Sequence, residues 1–200
     1  MMREQPNSLP PYVVSAGGNR GPNTLHLLKA TGADNGGELT VFEGTVAARS
    51  ATAPLGARES EDQAHYILEG TMSYILGDDR FDAGPGAFVW IPRGCRHAMG
   101  NRTDERVRFL GICTPAGIER FFTEQKAYLD ALPGTPSREK VTAPQSALED
   151  LRLADAGQPS DVMNLAYIAQ RDTGWKMMGP PLDVWSSEIE VMKFPGARNG

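Results

Sequence analysis

Cysteine and histidine are scarce in this chain, which carries two of the first and three of the second in 200 residues. Cys95 and Cys113 are too few for a disulfide framework, and the absence of a CxxC pair removes thioredoxin-like redox chemistry and zinc ribbons. No apolar run approaches the ~18 residues of a membrane-spanning helix. There is no excess of basic residues: the formal charge is −5, which argues against a nucleic-acid partner and leaves a small anion possible only at a local Arg cluster. The start of the sequence, from Met1 to Pro10, has no apolar core of the signal-peptide kind, so a reduced, cytoplasmic protein is the expectation. What the chain does have is 40% hydrophobic and 22% charged residues, enough for one globular domain with a sizeable core.

Glycine and proline punctuate the first ~115 residues into short β runs. Leu39 to Val46 alternates, His65 to Leu76 is β-rich with a hairpin-like break at Glu69-Gly70, and Phe88 to Ile91 and Arg106 to Cys113 extend the set. Thr24 to Ala30 is a further strand candidate, followed by a turn from Thr31 to Gly37. Gly77-Asp78-Asp79-Arg80 and Ala83-Gly84-Pro85-Gly86 are turns. Many short strands of this kind predict an all-β barrel or sandwich over residues 1–114. Residues 115–200 read as helices and a tail packed on it. Thr114-Pro115 is an N-cap and first-turn proline, and Ile118, Phe121, Phe122, Tyr128, Leu129 and Leu132 fall mostly on one apolar face of a helix that Pro133-Gly134 ends. A polar linker over 135–145 and helix candidates at 146–156 and 160–170 follow, and the apolar stretch from Trp175 to Leu182 is expected to return to the barrel.

One stretch is more specific. Gly86, Pro92, Gly94, His97 and Asn101 occur at the spacing Gly, five residues, Pro, one, Gly, two, His, three, Asn. This resembles the second signature motif of the cupin superfamily, and the resemblance implies a jelly-roll β-barrel. Tyr66-Ile-Leu-Glu-Gly70 is similar to the quercetin-dioxygenase-like branch, as are Val41-Phe-Glu43, Pro115 to Phe122 and Gly179-Pro-Pro-Leu182.

That branch implies a metal held by two His, a Glu and the motif-two His, a donor set suited to Fe, Mn, Ni, Cu or Zn. Counted back from Gly70, the Glu position is Gln63 and the two His positions are Gly56 and Arg58, or Ala57 and Glu59 in the shorter spacing. Only His97 matches. An amide replaces a carboxylate poorly, and a guanidinium repels a cation. Glu59, Glu61, Asp62 and His65 could rebuild a metal site after a strand slip; otherwise Glu61-Asp62 is a charged loop tip. The expectation is therefore a cupin without a cofactor.

Strand alternation puts Gln63 and His65 on one face. With Arg58 and His97 they offer a fixed cation, an amide and two imidazoles, able to hold a developing oxyanion and move a proton. Catalytic candidates are His97, His65 and Arg58. Substrate-binding candidates are Gln63, Tyr74, Phe88, Trp90 and Met99. His26 reads as a strand residue, Cys95 as a small buried one, and Trp175 and Trp185 as tail anchors or a lid. The expected function is metal-independent cyclisation, isomerisation, dehydration or decarboxylation of a small aromatic or polyketide-like molecule. The alternatives are a dioxygenase with a rebuilt site and a non-catalytic binding module. The partners expected are a small-molecule substrate and, from the resemblance, a second copy in a homodimer, with no nucleic acid and no membrane.

Overall fold

The strand from Val107 to Thr114 shows how the sequence makes this fold. Val107, Phe109, Gly111 and Cys113 are buried, while Arg108, Leu110, Ile112 and Thr114 are partly exposed. That is the period-two pattern of a strand with one face on a core. The computed structural model describes residues 10–22, 24–51, 54–131 and 174–181. The described residues form β1 (Leu27–Ala30), α1 (Gly32–Asn35), β2 (Thr40–Val46), β3 (Ser50–Ala51), β4 (Pro54–Arg58), β5 (Asp62–Glu69), β6 (Met72–Leu76), β7 (Asp79–Ala83), β8 (Phe88–Ile91), β9 (His97–Asn101), β10 (Val107–Thr114), α2 (Ile118–Ala131) and β11 (Trp175–Pro181).

The strands assemble into two sheets, in the orders β1-β2-β10-β5-β8 and β11-β4-β9-β6-β7, with β3 beside β9. Every pairing is antiparallel. This is the jelly-roll architecture expected from the sequence. Leu28, Phe42, Ile67, Met72, Ile91, Val107 and Phe109 fill the space between the sheets. The tail stretch 175–181 joins the second sheet as an edge strand, with Trp175 in register with Arg58.

Three local expectations change. Glu69-Gly70 is not a hairpin: β5 and β6 belong to different sheets, and the chain crosses between them there. Gly70 has φ +73°, and a Cβ on it would lie 2.5 Å from the Arg106 carbonyl oxygen, so the corner requires glycine. The segment from Thr31 to Gly37 contains a single helical turn, capped by Thr31 and Asp34. The later helix begins at Ile118 instead of Pro115. Its Glu119 turns back to accept from the Gly117 N–H (3.0 Å) and the Gly32 N–H (2.9 Å) and takes the Thr40 hydroxyl proton donor as well. Ile118 and Phe122 then pack into the core, Phe122 against Phe42 at 4.9 Å between ring centres. The linker at 135–145, the helix candidates at 146–156 and 160–170, and Trp185 lie outside the described residues. No helix among the described residues is long and apolar enough to cross a membrane.

Asn101, the last residue of the motif, is a structural pin. It is fully buried, and its Nδ2 donates to the carbonyls of Ala47 (3.0 Å) and Glu105 (2.5 Å). Its Oδ1 accepts from the Thr103 N–H (2.9 Å) and hydroxyl (2.7 Å). An Ala there leaves several buried polar groups unmatched, each costing roughly 1–3 kcal/mol. Asn101→Ala is expected to destabilise the fold by about 3 kcal/mol in urea unfolding; a loss under ~1 kcal/mol would deny the pin.

Candidate functional site

Three strands of the barrel bring the candidate residues together. In β4, Gly56 and Arg58 alternate with the buried Ala57, and Gly56 lies directly opposite His97 of β9. The structure thus adopts the longer of the two sequence registers. Gly94 of the motif-two loop donates its N–H to the Arg58 carbonyl at 2.7 Å, so the motif itself fixes this end of β4. Gln63 and His65 share the inner face of β5, opposite Ile91 and Val89 of β8.

The Arg58 side chain is 15% exposed, and its Nη1 donates to Glu61 Oε1 at 2.8 Å. Its guanidinium carbon lies 5.8 Å from the centre of the Phe121 ring of α2. Two buried N–H donors, Arg58 Nε and Gln63 Nε2, have no hydrogen-bond partner among the described residues. Buried donors are nearly always satisfied, so these two stand out among the candidate residues; Arg80 Nη1 of β7 is a third such donor.

The two imidazoles divide into different roles. His97 Nδ1 lies 3.0 Å from the Cys95 carbonyl oxygen. A carbonyl only accepts, so Nδ1 carries the hydrogen and the neutral ring keeps its lone pair on Nε2. Burial, and then the charge of Arg58, hold His97 below the usual imidazole range against the opposing Cys95 hydrogen bond. His97 is therefore neutral at neutral pH and carries a free basic nitrogen. His65 is 1% exposed, with Nδ1 3.0 Å from the Tyr74 hydroxyl. Burial, with the charges of His97, Arg58 and His26, pushes its pKa down to about 3. A pKa that low keeps the ring neutral near pH 7, as a hydrogen-bonding partner of Tyr74. Burial also pushes the Tyr74 hydroxyl up, so it stays protonated.

Tyr74 and Met99 are register partners on the inner face of the second sheet, where the sequence placed them. Phe88 and Trp90 are not in the barrel. They are 60% and 50% exposed, on the outer face of β8, beside the exposed Tyr66 and Leu68 of β5. Val89 and Ile91 occupy the inward positions instead. His26 packs between Phe42 (5.1 Å) and Phe122 (4.3 Å). Cys113, the register partner of Gln63, is an inert thiol raised well above its usual range by burial.

Glu61, like Phe88 and Trp90, lies where sequence reasoning did not put it. It is not a loop tip: it is 4% exposed and turned toward Arg58. Burial raises its pKa, Arg58 lowers it, and the Glu119 carboxylate raises it again. The neighbouring Asp62 takes the outward position, held by the Arg93 backbone N–H (2.8 Å) and guanidinium (2.7 Å). The available signal was the Arg58 to Glu61 spacing of opposite charges across the short β4–β5 connection.

The residues at the family's metal positions do not fit a metal. Of that set, only His97 offers a ligating atom of the right kind. Gly56 has no side chain, Arg58 is a cation already paired with Glu61, and Gln63 has its donor end orphaned. A divalent ion beside a guanidinium meets repulsion. No cluster of three or more His, Cys, Asp or Glu that could hold a metal ion occurs among the described residues, so Glu59, Glu61, Asp62 and His65 are not gathered into a rebuilt one.

Residues 42–113 match the family profile described as "Cupin domain". No curated protein matches the chain. Among solved structures, the polyketide cyclase RemF from Streptomyces resistomycificus is 27% identical, covering 44% of this chain and 63% of its own, with a TM-score of 0.40. A putative sugar phosphate isomerase from Acidithiobacillus ferrooxidans is 21% identical, covering 44% and 58%, with a TM-score of 0.39. A cupin protein from Bacteroides fragilis is 16% identical, covering 40% and 68%, with a TM-score of 0.37. The cupin-domain match thus covers residues 42–113, which lie within the two-sheet antiparallel fold and carry the candidate residues from Gln63 to Met99.

Proposed function

We propose that this protein is a metal-independent enzyme that moves a proton on a small organic molecule bearing a carbonyl, enol or phenol oxygen. The observation that carries the reading is the pair of orphaned buried donors, Arg58 Nε and Gln63 Nε2, in a barrel that also holds a neutral imidazole with a free basic nitrogen. In the proposed step, His97 Nε2 takes a proton from a C–H or O–H of the substrate. The electron pair left behind moves onto the substrate oxygen, which the Arg58 and Gln63 N–H groups hold. The imidazolium then returns the proton at another atom of the same molecule. The sequence balances as an isomerisation, with no oxidant. His65 and Tyr74 fix the wall beside the ligand.

Deuterium exchange alpha to the carbonyl of small aryl ketones, acetophenone among them, tests this in buffer containing a metal chelator. Wild-type protein is expected to accelerate the exchange. His97→Ala is expected to slow it by about 10²-fold or more. Gln63→Leu is expected to lose about 10²-fold as well, while the folded state stays as stable or gains, because the change removes an unsatisfied buried amide. Trp90→Ser, on the outer face, is expected to leave the rate unchanged. Exchange that needs an added metal, or that survives His97→Ala, would sink the reading.

A further inference from the structure

Glu61 has no part in that proton transfer, yet it is the most deeply buried carboxylate beside Arg58, the cation on which the site depends. Its surroundings come from three elements: Arg58 from β4, Cys113 from β10 and Glu119 from α2. Cys113 is an uncharged thiol, and the imidazoles of His65 and His97 are neutral near pH 7. The formal balance of Arg58, Glu61 and Glu119 is therefore one positive charge against two negative ones. Glu119 has its own donors in Gly32, Gly117 and Thr40, so Arg58 is neutralised by Glu61 alone.

A guanidinium in a barrel ordinarily recommends a carboxylate or phosphate ligand, because it presents paired donors to paired oxygens. Here that inference fails on charge. A second carboxylate would sit against Glu61 with no free cation to balance it, in a region where water is excluded and like charges repel strongly. What the site leaves free is two N–H donors, at Arg58 Nε and Gln63 Nε2, with no net positive charge behind them. Such donors suit a neutral carbonyl oxygen, which gains negative charge only as its proton leaves.

We propose that Glu61 is the specificity-determining residue of this site: by neutralising Arg58 from within the barrel, it excludes carboxylates and other anions and restricts the substrate to neutral carbonyl compounds. The inference rests on the reading of the barrel interior as a small-molecule site. It also gives a reason for burying a carboxylate where the family resemblance implies a cationic centre: the pair keeps the guanidinium in place without making the site an anion trap.

Acetophenone and benzoate test it, since they share a planar aryl–carbonyl shape and differ in charge. Ligand-detected NMR titration of wild-type protein at pH 7 is expected to show acetophenone bound at least about tenfold more tightly than benzoate. Glu61→Gln is expected to raise benzoate affinity by about tenfold or more and to change acetophenone affinity by less than about threefold. Wild-type benzoate binding as tight as acetophenone would overturn the role of Glu61 and leave the small-molecule site standing. Binding of neither probe to either protein would overturn the site itself and this inference with it. The wild-type comparison alone decides the first point if Glu61→Gln fails to fold.

Discussion

Arg58→Met is expected to cost the fold about 3–5 kcal/mol at neutral pH, the largest loss from any polar substitution proposed for this chain. The Met side chain keeps much of the Arg stem's apolar bulk beside Phe121, so the loss is mainly electrostatic. It leaves Glu61 ionised, 4% exposed and facing Glu119 without its guanidinium. A buried carboxylate without a counterion either carries its desolvation penalty or takes up a proton. The variant should therefore recover stability in acid. With Arg58 gone, the pKa of Glu61 rises further above its ordinary 4.5, and a raised folded pKa gives stability that is present below the unfolded value and lost as pH rises through the folded one. Arg58→Met/Glu61→Gln should return most of the loss at neutral pH, since no unpaired charge remains. Urea unfolding of the two single variants and the double variant gives the coupling directly. A coupling near zero would mean that the 2.8 Å ion pair does not hold in solution.

Acid is expected to destabilise the native protein well before the carboxylates held low by their partners titrate, with Glu61, held high by burial, acting in the opposite direction. His65 has its folded pKa pushed from 6.5 down to about 3, mainly by burial. Because the folded value lies below the unfolded one, the stabilisation is present in full above pH 6.5 and disappears as pH falls toward 3. The expected loss is about 2 kcal/mol by about pH 5 and on the order of 4 kcal/mol by pH 3. His97, also held low, acts in the same direction. The carboxylates held low by their partners, Asp34 and Glu43, lose their contribution only as pH falls below their ordinary 3.8 and 4.5. The interval from pH 6.5 to about 5 therefore belongs chiefly to the imidazoles. In urea unfolding, His65→Gln should show a clearly smaller loss across this interval than wild type. An identical loss in the two proteins would show that His65 is not the buried neutral group described here.

The parts of the site that were legible before the fold are those written in local backbone chemistry. The spacing from Gly86 to Asn101 fixes where a strand ends, turns and restarts, because Pro92, Gly94 and Asn101 each satisfy a requirement set by near neighbours. Counting back from Gly70 located Gln63 and, in one of two family spacings, Arg58, because the cupin resemblance implies ligands at those intervals. Alternation also showed that Phe88 and Trp90 share a face, but not which one. Val89 and Ile91 are as apolar, so period alone cannot choose between the two faces. The choice was made by the neighbouring strand: β5 places Gln63 and His65 opposite Ile91 and Val89, and Tyr66 opposite Phe88. The Glu69-Gly70 break looked like a hairpin because a glycine at positive φ serves a sheet-crossing corner as well as a turn, and only the pairing of β5 with β10 and of β6 with β9 separates the two.

By itself, then, the sequence determined a set of short strands and turns, while its resemblance to the cupins supplied the jelly roll, the second motif and the positions expected of a metal ligand set. The strands and turns follow from periodicity and from glycine and proline geometry, which act over a few residues, and the rest is what the resemblance implies. Only the tertiary structure decided that Glu61 turns inward, that burial holds His65 far below the usual imidazole range, and that Arg58 Nε and Gln63 Nε2 have no partner among the described residues. The charge state and hydrogen-bond balance of a buried group depend on every element packed against it, here β4, β5, β9, β10 and α2, and no stretch of sequence contains them all.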